Sequence, residues 1–351
     1  MDPLSDVLQI LAVRSVLPSR FEAGGDWAVS FPAFRHVKFG AVHRGEAWIV
    51  AAGAGPDLLR AGDCYVLTGE ESYVIASDPA LEPVDGVPAF RASPDGIARV
   101  GTRAGAVGTR KVGGAGAGDG PGADAPHLPA GPPEVVVTAG RFTFDEETAR
   151  LLLDVLPRLL VVRASADGND ALHHALALFG HETEAPRMGA ALATERLAQI
   201  VLVQALRAAA EGDGAVTGWL RGLRDERVGA ALRTMHADLA RRWTVAELAE
   251  AALLSRSAFA ARFTALVGTS PLDHLLQVRM HAAGRDLQDP DVTVSAVADR
   301  WGYTSDSAFS NAFKRVMGAS PRAWRTAVAE REPAERIGAG GVVGAAEPVA
   351  A

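Results

Sequence analysis

A single cysteine, Cys64, in 351 residues leaves no partner for an intrachain disulfide and fits a reducing compartment. It reads as a small buried hydrophobe. No apolar run is long enough to cross a bilayer, because the richest one, 151–162, is interrupted by Asp154, Pro157 and Arg158. Met1 to Arg20 carries acidic residues early and no unbroken apolar stretch, so no secretory leader is expected and the chain is placed in the cytoplasm. The glycine-rich stretch from Gly113 to Gly118 is followed by no Gly-Lys-Ser/Thr, which excludes a phosphate-binding loop. No catalytic constellation is visible, so neither an enzyme nor a cofactor is expected. What the chain does have is 48% hydrophobic residues, enough for packed cores in two or three domains at this length.

Charge is distributed unevenly. The formal net charge of −7 comprises −8 over 1–229, +2 over 230–330 and −1 over 331–351. A slightly basic segment on an acidic body favours local contact with a polyanion over general coating by nucleic acid.

Between Thr244 and Trp324 the chain repeats itself. Thr-Val-Ala-Glu-Leu-Ala at 244–249, followed by Ser255, Phe259, Phe263, Gly268 and Ser270-Pro271, recurs as Thr-Val-Ser-Ala-Val-Ala at 293–298, followed by Ser305, Phe309, Phe313, Gly318 and Ser320-Pro321. The offset is 49 residues before the inner turn and 50 after it, the mark of one supersecondary unit used twice.

In the first copy, Thr244 and Glu247 form a capping box that opens a short helix with Val245, Leu248, Ala249 and Ala252 on one face. Leu253-Leu254 breaks into Ser255, a second N-cap. The next helix, Arg256 to about Val267, puts Phe259, Phe263 and Val267 on a core face and leaves Arg256, Ser257, Ala260 and Ala261 free. Gly268 ends it in a left-handed cap, and Ser270-Pro271 starts a third helix toward Arg279. In the second copy Gly302 permits the reversal, Tyr303 plugs the core, and a helix from Asp306 to Met317 presents Ser307, Ser310, Asn311 and Lys314 opposite Phe309, Phe313 and Val316-Met317. Each copy reads as helix–turn–helix. A small, polar free face suits a major-groove reader, because bulky apolar groups there would block entry.

Residues 230–326, closing on Ser-Pro-Arg-Ala-Trp-Arg at 320–325, resemble the tandem helix–turn–helix domain of the AraC/XylS family of transcriptional regulators. The resemblance implies that the second helix of each copy enters the major groove of double-stranded DNA, the two grooves lying about one helical turn, ~34 Å, apart. Base contacts are then expected from Arg256, Ser257, Ala260 and Ala261 in one copy and Asp306, Ser307, Ser310 and Asn311 in the other. Arg256 suits guanine, Asn311 suits adenine, and alanine methyls suit the thymine methyl. Many members of that family carry arginine where this chain has Ala261 and Asn311, so the base preferences of relatives do not transfer. The phosphate candidates are Arg242, Arg262, Lys314, Arg315, Arg322 and Arg325, with internal pairing the alternative for Arg262.

The first 145 residues differ in character. Short apolar runs at 48–51, 65–67 and 73–75 are separated by turn signals at 53–56, 61–63 and 78–79, which argues for an antiparallel barrel or sandwich. The order His43 to Trp48, then Leu59 to Asp63, then a further strand, resembles the cupin-like sensor domain that precedes the reader in one branch of the same family. Metal-binding cupins carry a His-x-His pair, a downstream Glu and a later His. Here His36 and His43 stand seven apart with Glu46 and no suitable later histidine before His127, so no metal is expected. A small effector in the barrel interior is expected instead, with Arg35, His36, His43 and Trp48 as its candidate contacts.

The stretch 101–133, dominated by Gly, Ala and Pro, reads as a mobile insertion within the barrel, with order resuming at Val135 and a last strand near 137–145. Helical periodicity follows at 146–160, 169–181 and 188–210, the last with an apolar stripe wide enough to pack within the chain or against a second copy. Residues 211–222 read as a glycine-bearing linker, 225–240 as a helix leading into the first repeat, and 331–351 as a disordered tail.

The reading is an α+β chain: a cupin-like effector-sensing β-barrel (1–145), a helical connector and dimerisation segment (146–222), and a C-terminal all-α tandem helix–turn–helix domain (225–330). Its expected function is effector-controlled transcription regulation, as activator or repressor, with DNA, RNA polymerase and a second copy as partners and no membrane. The alternatives are a constitutive DNA binder with a vestigial barrel and a cupin enzyme fused to a reader.

Overall fold

The computed structural model describes residues 2–11, 15–33, 37–69, 71–91, 93, 97–101, 132–144, 146–164, 170–184, 187–212 and 216–329. Helix α1 (Pro3–Leu11) opens the chain. Strands β1 (Ser15–Gly24), β2 (Ala28–Phe31), β3 (Val37–Arg44), β4 (Glu46–Ala51), β5 (Asp57–Arg60), β6 (Cys64–Leu67), β7 (Tyr73–Ala76) and β8 (Val84–Asp85) follow, then α2 (Val87–Arg91), β9 (Ile97–Gly101), β10 (Val135–Thr143), α3 (Glu146–Leu153) and β11 (Leu159–Val162). The rest is helical: α4 (Asp170–Glu184), α5 (Ala190–Glu211), α6 (Gly218–Gly222), α7 (Glu226–Ala237), α8 (Val245–Ala251), α9 (Arg256–Val267), α10 (Pro271–Asp286), α11 (Val294–Arg300), α12 (Asp306–Met317) and a final helical stretch over 321–329. These elements form two compact units. One holds all the strands with α2, α4 and most of α5; the other holds α1, α3 and α6 onward.

The strand unit is built from a six-stranded sheet in the order β11-β6-β3-β10-β1-β9 and a five-stranded sheet in the order β5-β4-β7-β2-β8. A core shared by both sheets contains Phe21, Trp27, Val29, Phe31, Val42, Ile49, Leu59, Tyr65, Tyr73, Ile75 and Val137. On β4, buried Ala47, Ile49 and Ala51 alternate with half-buried Trp48 and Val50, as the two-residue period of a strand requires. β3 lacks such alternation because both its faces are covered. Val42 enters the inter-sheet core, while Phe39 stacks on Phe142 at 4.8 Å and meets Phe179 of α4 edge-on at 5.3 Å. Gly40 lets Tyr65 lie flat against β3, since a Cβ there would stand 2.4 Å from the ring.

Three expectations need correction. A helix over 146–160 is realised only to Leu153; beyond Pro157 the run Leu-Leu-Val-Val pairs antiparallel with β6 as β11. β-branched residues after a proline gain more from an open sheet edge than from continuing a helix. The linker over 211–222 contains α6, whose Trp219 is buried and donates from Nε1 to Leu151 O at 2.8 Å. The N-terminal segment, read with the strands, begins as helix α1, which packs Ile10 with Leu151, Leu239, Val278, Ala282 and Trp301. Of the glycine-rich insertion read at 101–133, residues 102–131 lie outside the described residues, as does the tail, and Cys64 is fully buried, with its thiol pushed up to about 12 by burial and by Asp63.

In the helical unit the two copies of the repeat share their caps and inner-turn bonds, although Glu247 completes a capping box with Thr244 where the second copy has Ala296. Thr244 and Thr293 cap α8 and α11, and Ser255 and Ser305 cap α9 and α12. Gly268 and Gly318 close α9 and α12 at φ 86° and 74°. At the inner turn, Leu254 N donates to Ala249 O and Tyr303 N to Ala298 O, both at 2.9 Å. At the inner turn both copies take left-handed backbone, Gly302 at φ 77° and its counterpart Leu253 at φ 53°, the leucine 80% exposed. Left-handed backbone costs a non-glycine residue about 1–2 kcal/mol, part of which glycine's unfolded-state entropy would cancel. Leu253→Gly is therefore expected to stabilise the helical unit by about 0.5 kcal/mol, read as a higher denaturation midpoint; a lower midpoint would show that the leucine side chain contributes more than the strain removes.

Candidate nucleic-acid interface

α9 and α12 each hold one face in the core and present the other. Phe259, Phe263 and Val267 of α9 and Phe309, Phe313 and Met317 of α12 are buried, while Arg256, Ser257 and Ala261, and likewise Asp306, Ser307 and Asn311, are exposed. Ala260 and Ser310 are half-buried at equivalent positions on the rims of the two faces. Arg256 and Asn311 have no hydrogen-bond or ion-pair partner among the described residues.

The phosphate candidates fall into two groups. Lys314, Arg315 and Arg322 are exposed and hold no intrachain partner among the described residues. The others are engaged. Arg242 donates to Gly302 O at 3.1 and 3.2 Å, bracing the second inner turn. Arg262 pairs with Asp225 at 2.5 Å, and Asp225 also caps α7 by accepting from the backbone of Arg227 and Val228. Arg262 is the leading cause that lowers the Asp225 carboxyl below its usual range. Arg325 is half-buried and donates to Leu287 O and Val292 O, tying α10 to the approach of α11. Sequence reading did not reveal two further clamps, Arg227 on the carbonyls of Ala252 and Leu253 and Arg279 on those of Leu239 and Arg241. No local pattern marks an arginine whose acceptors are carbonyls tens of residues away.

α10 serves both copies. Its Met280 and Ala283 pack with Phe309, Phe313 and Trp324, and its His274 lies 5.9 Å from the Phe263 ring, in the place that Trp324 takes against Phe313. Burial, reinforced by neighbouring His236, pushes the His274 imidazole down to about 3. The fold therefore refuses a proton that the unfolded chain accepts near pH 6.5. Stability is fully present above that value and falls by about 1.4 kcal/mol per pH unit as pH drops toward 3. His274→Phe is expected to flatten this limb of the stability profile in chemical denaturation, and an unchanged slope would contradict it.

Of the four barrel candidates, Arg35 and His36 lie outside the described residues. The other two do not point into the interior. His43 follows Val42 and so faces outward, against Gly180 of α4, with its Nε2 buried and without a hydrogen-bond partner among the described residues. Its basicity is lowered by burial first and by Arg20 second. Trp48 sits between inward Ala47 and Ile49 and is likewise turned out. Strand parity, which the sequence carries but the register settles, decides both cases. The interior end of β3 and β10 instead presents Lys38 and Arg141.

Comparison with known proteins gives relatives for both parts of the chain. A family model described as Cupin matches residues 2–211, and one described as Helix-turn-helix domain matches 248–327. An AraC-like transcription regulator of Streptomyces lividans is 41% identical over 327 residues, covering 93% of this chain and 98% of the relative. One of Streptomyces antibioticus is 39% identical with the same coverage. Among solved structures, the DNA-binding domain of AdpA in complex with a target DNA is 34% identical, covering 31% of this chain and 98% of that one, with a TM-score of 0.30. No helix among the described residues is long and apolar enough to cross a membrane.

Proposed function

The chain belongs to the AraC/XylS family of transcriptional regulators, and from that premise we propose that α9 and α12 read two adjacent major-groove sites while the barrel unit takes a small effector that sets DNA affinity. The observation that carries the reading is the pair of identically capped helices, each with aromatic residues inside and small or polar ones outside. Arg256, Ser257, Ala260 and Ala261 face one site, and Asp306, Ser307, Ser310 and Asn311 the other. Lys314, Arg315 and Arg322 are the free cations for phosphate. Arg242, Arg262 and Arg325 shape the reader through their intrachain bonds instead. A second copy of the chain and RNA polymerase complete the expected assembly, and the apolar stripe of α5, with Leu192 and Ile200 exposed, supports pairing of copies.

A second reading has one observation in its favour. The inter-sheet core is filled by its own aromatic side chains, as in a barrel that has lost its ligand. The two readings separate in one titration: DNA affinity of the full chain, measured across a panel of small metabolites, shifts for at least one of them if the barrel senses an effector and for none if the chain binds constitutively.

A further inference from the structure

The two recognition helices share their caps and differ in what holds them. In the first copy the ties run to the first turn of α7. Its N-cap, Asp225, accepts from Arg262 Nε at 3.0 and 3.1 Å and from Arg262 Nη2 at 2.5 Å, so α9 grips a carboxylate that the α7 backbone holds still. Two residues on, Arg227 donates to Ala252 O at 3.2 Å and to Leu253 O at 2.9 Å, on the inner turn that leads into α9. Just ahead, α6 packs on the last turn of α9, where a Cβ on Gly222 would stand 3.0 Å from Val267 Cγ2.

The second copy lacks this arrangement. Fifty residues on from Arg262 stands Ala312, packed among the apolar side chains around Phe313. Among the described residues α12 makes no ion pair. Its inner turn is held by Arg242 on Gly302 O, and the approach to α11 by Arg325, both outside α6 and α7. α6 is tied backward as well: Thr217 N donates to Val155 O and Trp219 Nε1 to Leu151 O, each at 2.8 Å. Both acceptors lie in the short stretch between β10 and β11. A run of bonds therefore leads from that stretch through α6 and α7 to α9, and to α9 only.

The Arg262 side chain is 51% exposed, and an ion pair so open to water adds little stability. Orientation is a different matter, because a planar guanidinium on a fixed carboxylate makes several bonds whose directions are set together. We propose that Asp225 and Arg262 are positioning residues for α9 and not for α12: they fix the first recognition helix to the α6–α7 junction, so the connector sets how the first DNA element is read and has no such hold on the second. The DNA consequence rests on the two-element reading above; the brace itself does not.

The test repeats sequence selection and affinity measurement with the full-length chain carrying Asp225→Asn, Arg262→Gln or both. Asparagine still caps a helix, so Asp225→Asn breaks the pair and spares α7. Each variant is expected to lose about fivefold of discrimination, the low end of what one base pair carries, within the element that relaxes in Arg256→Ala. The element that relaxes in Asn311→Ala should be unchanged. The double variant should lose no more than either single one, since all three break the same bonds. Without DNA, amide hydrogen exchange should show α9 losing protection in both single variants while α12 keeps its own. Relaxation of both elements equally, or of neither, would overturn the proposal. So would an Arg262→Gln chain that binds all duplexes more weakly with a salt slope lower by about 0.9, the mark of a lost phosphate contact. An Asp225→Asn chain that binds all duplexes more tightly would equally overturn it, by showing a carboxylate that withholds Arg262 from DNA. A parent chain with no two-element site would sink the regulatory reading, and unchanged α9 exchange in both variants would sink the brace whether or not a site is found.

Discussion

Phe313→Ala should cost the helical unit about 3–5 kcal/mol and abolish DNA binding by the full chain. The side chain is fully enclosed, with Phe309 at 5.6 Å and Trp324 at 6.2 Å between ring centres, in a cluster with Met280, Ala283, Leu287, Val297 and Met317. Truncation loses the transfer free energy of the ring and leaves a cavity whose walls come from α10, α11, α12 and the helix over 321–329, so no single side chain can close it. α12 owes its position to this cluster, and an unanchored α12 cannot present Asn311 and Lys314 in one geometry. Denaturant unfolding followed by helical signal checks the first part and a gel-shift titration the second. A loss below about 1.5 kcal/mol, the range of a well-accommodated core change, would mean that the cluster collapses around the gap.

The second large effect separates recognition from stability. Asn311→Ala and Arg256→Ala are each expected to weaken binding to the preferred duplex by about 10- to 100-fold, the ~1–3 kcal/mol of one bidentate base contact. Each should relax preference at one base position while leaving unfolding within about 0.5 kcal/mol of the parent, because both side chains are exposed and make no bond to another described residue. Lys314→Ala should instead weaken binding evenly across sequences and lower the salt slope by about 0.9. If Arg256→Ala and Asn311→Ala weakened all duplexes equally, both residues would be phosphate contacts and the base-reading roles would move to Ser257, Ser307 and Ser310.

Much of the helical unit was legible because its signals are local. Caps at Thr244, Ser255, Thr293 and Ser305, closing glycines at 268 and 318, and phenylalanines four apart each act within one or two turns, and the repeat supplied every signal twice. Leu253 was not legible, since a leucine gives no hint of a left-handed backbone until the register with Gly302 is imposed. The strand unit hid more. Whether His43 or Lys38 faces inward depends on which neighbour on β3 enters the core, and β3, buried on both faces, has no alternation to count. Arg141 meets Lys38 only when β10, nearly a hundred residues later, is laid beside β3 in register. β11 was lost because an apolar run after a proline satisfies helix and strand equally until an unpaired edge of β6 is known to wait for it.

The most direct measurement is selection of bound sequences from a random duplex pool by the full-length chain, followed by affinity for the selected site at two salt concentrations. The account predicts one enriched site with two short elements about one helical turn apart, one element relaxing in Arg256→Ala and the other in Asn311→Ala. A pool with no enrichment, or a single element indifferent to both substitutions, would contradict a chain that reads DNA with two helices.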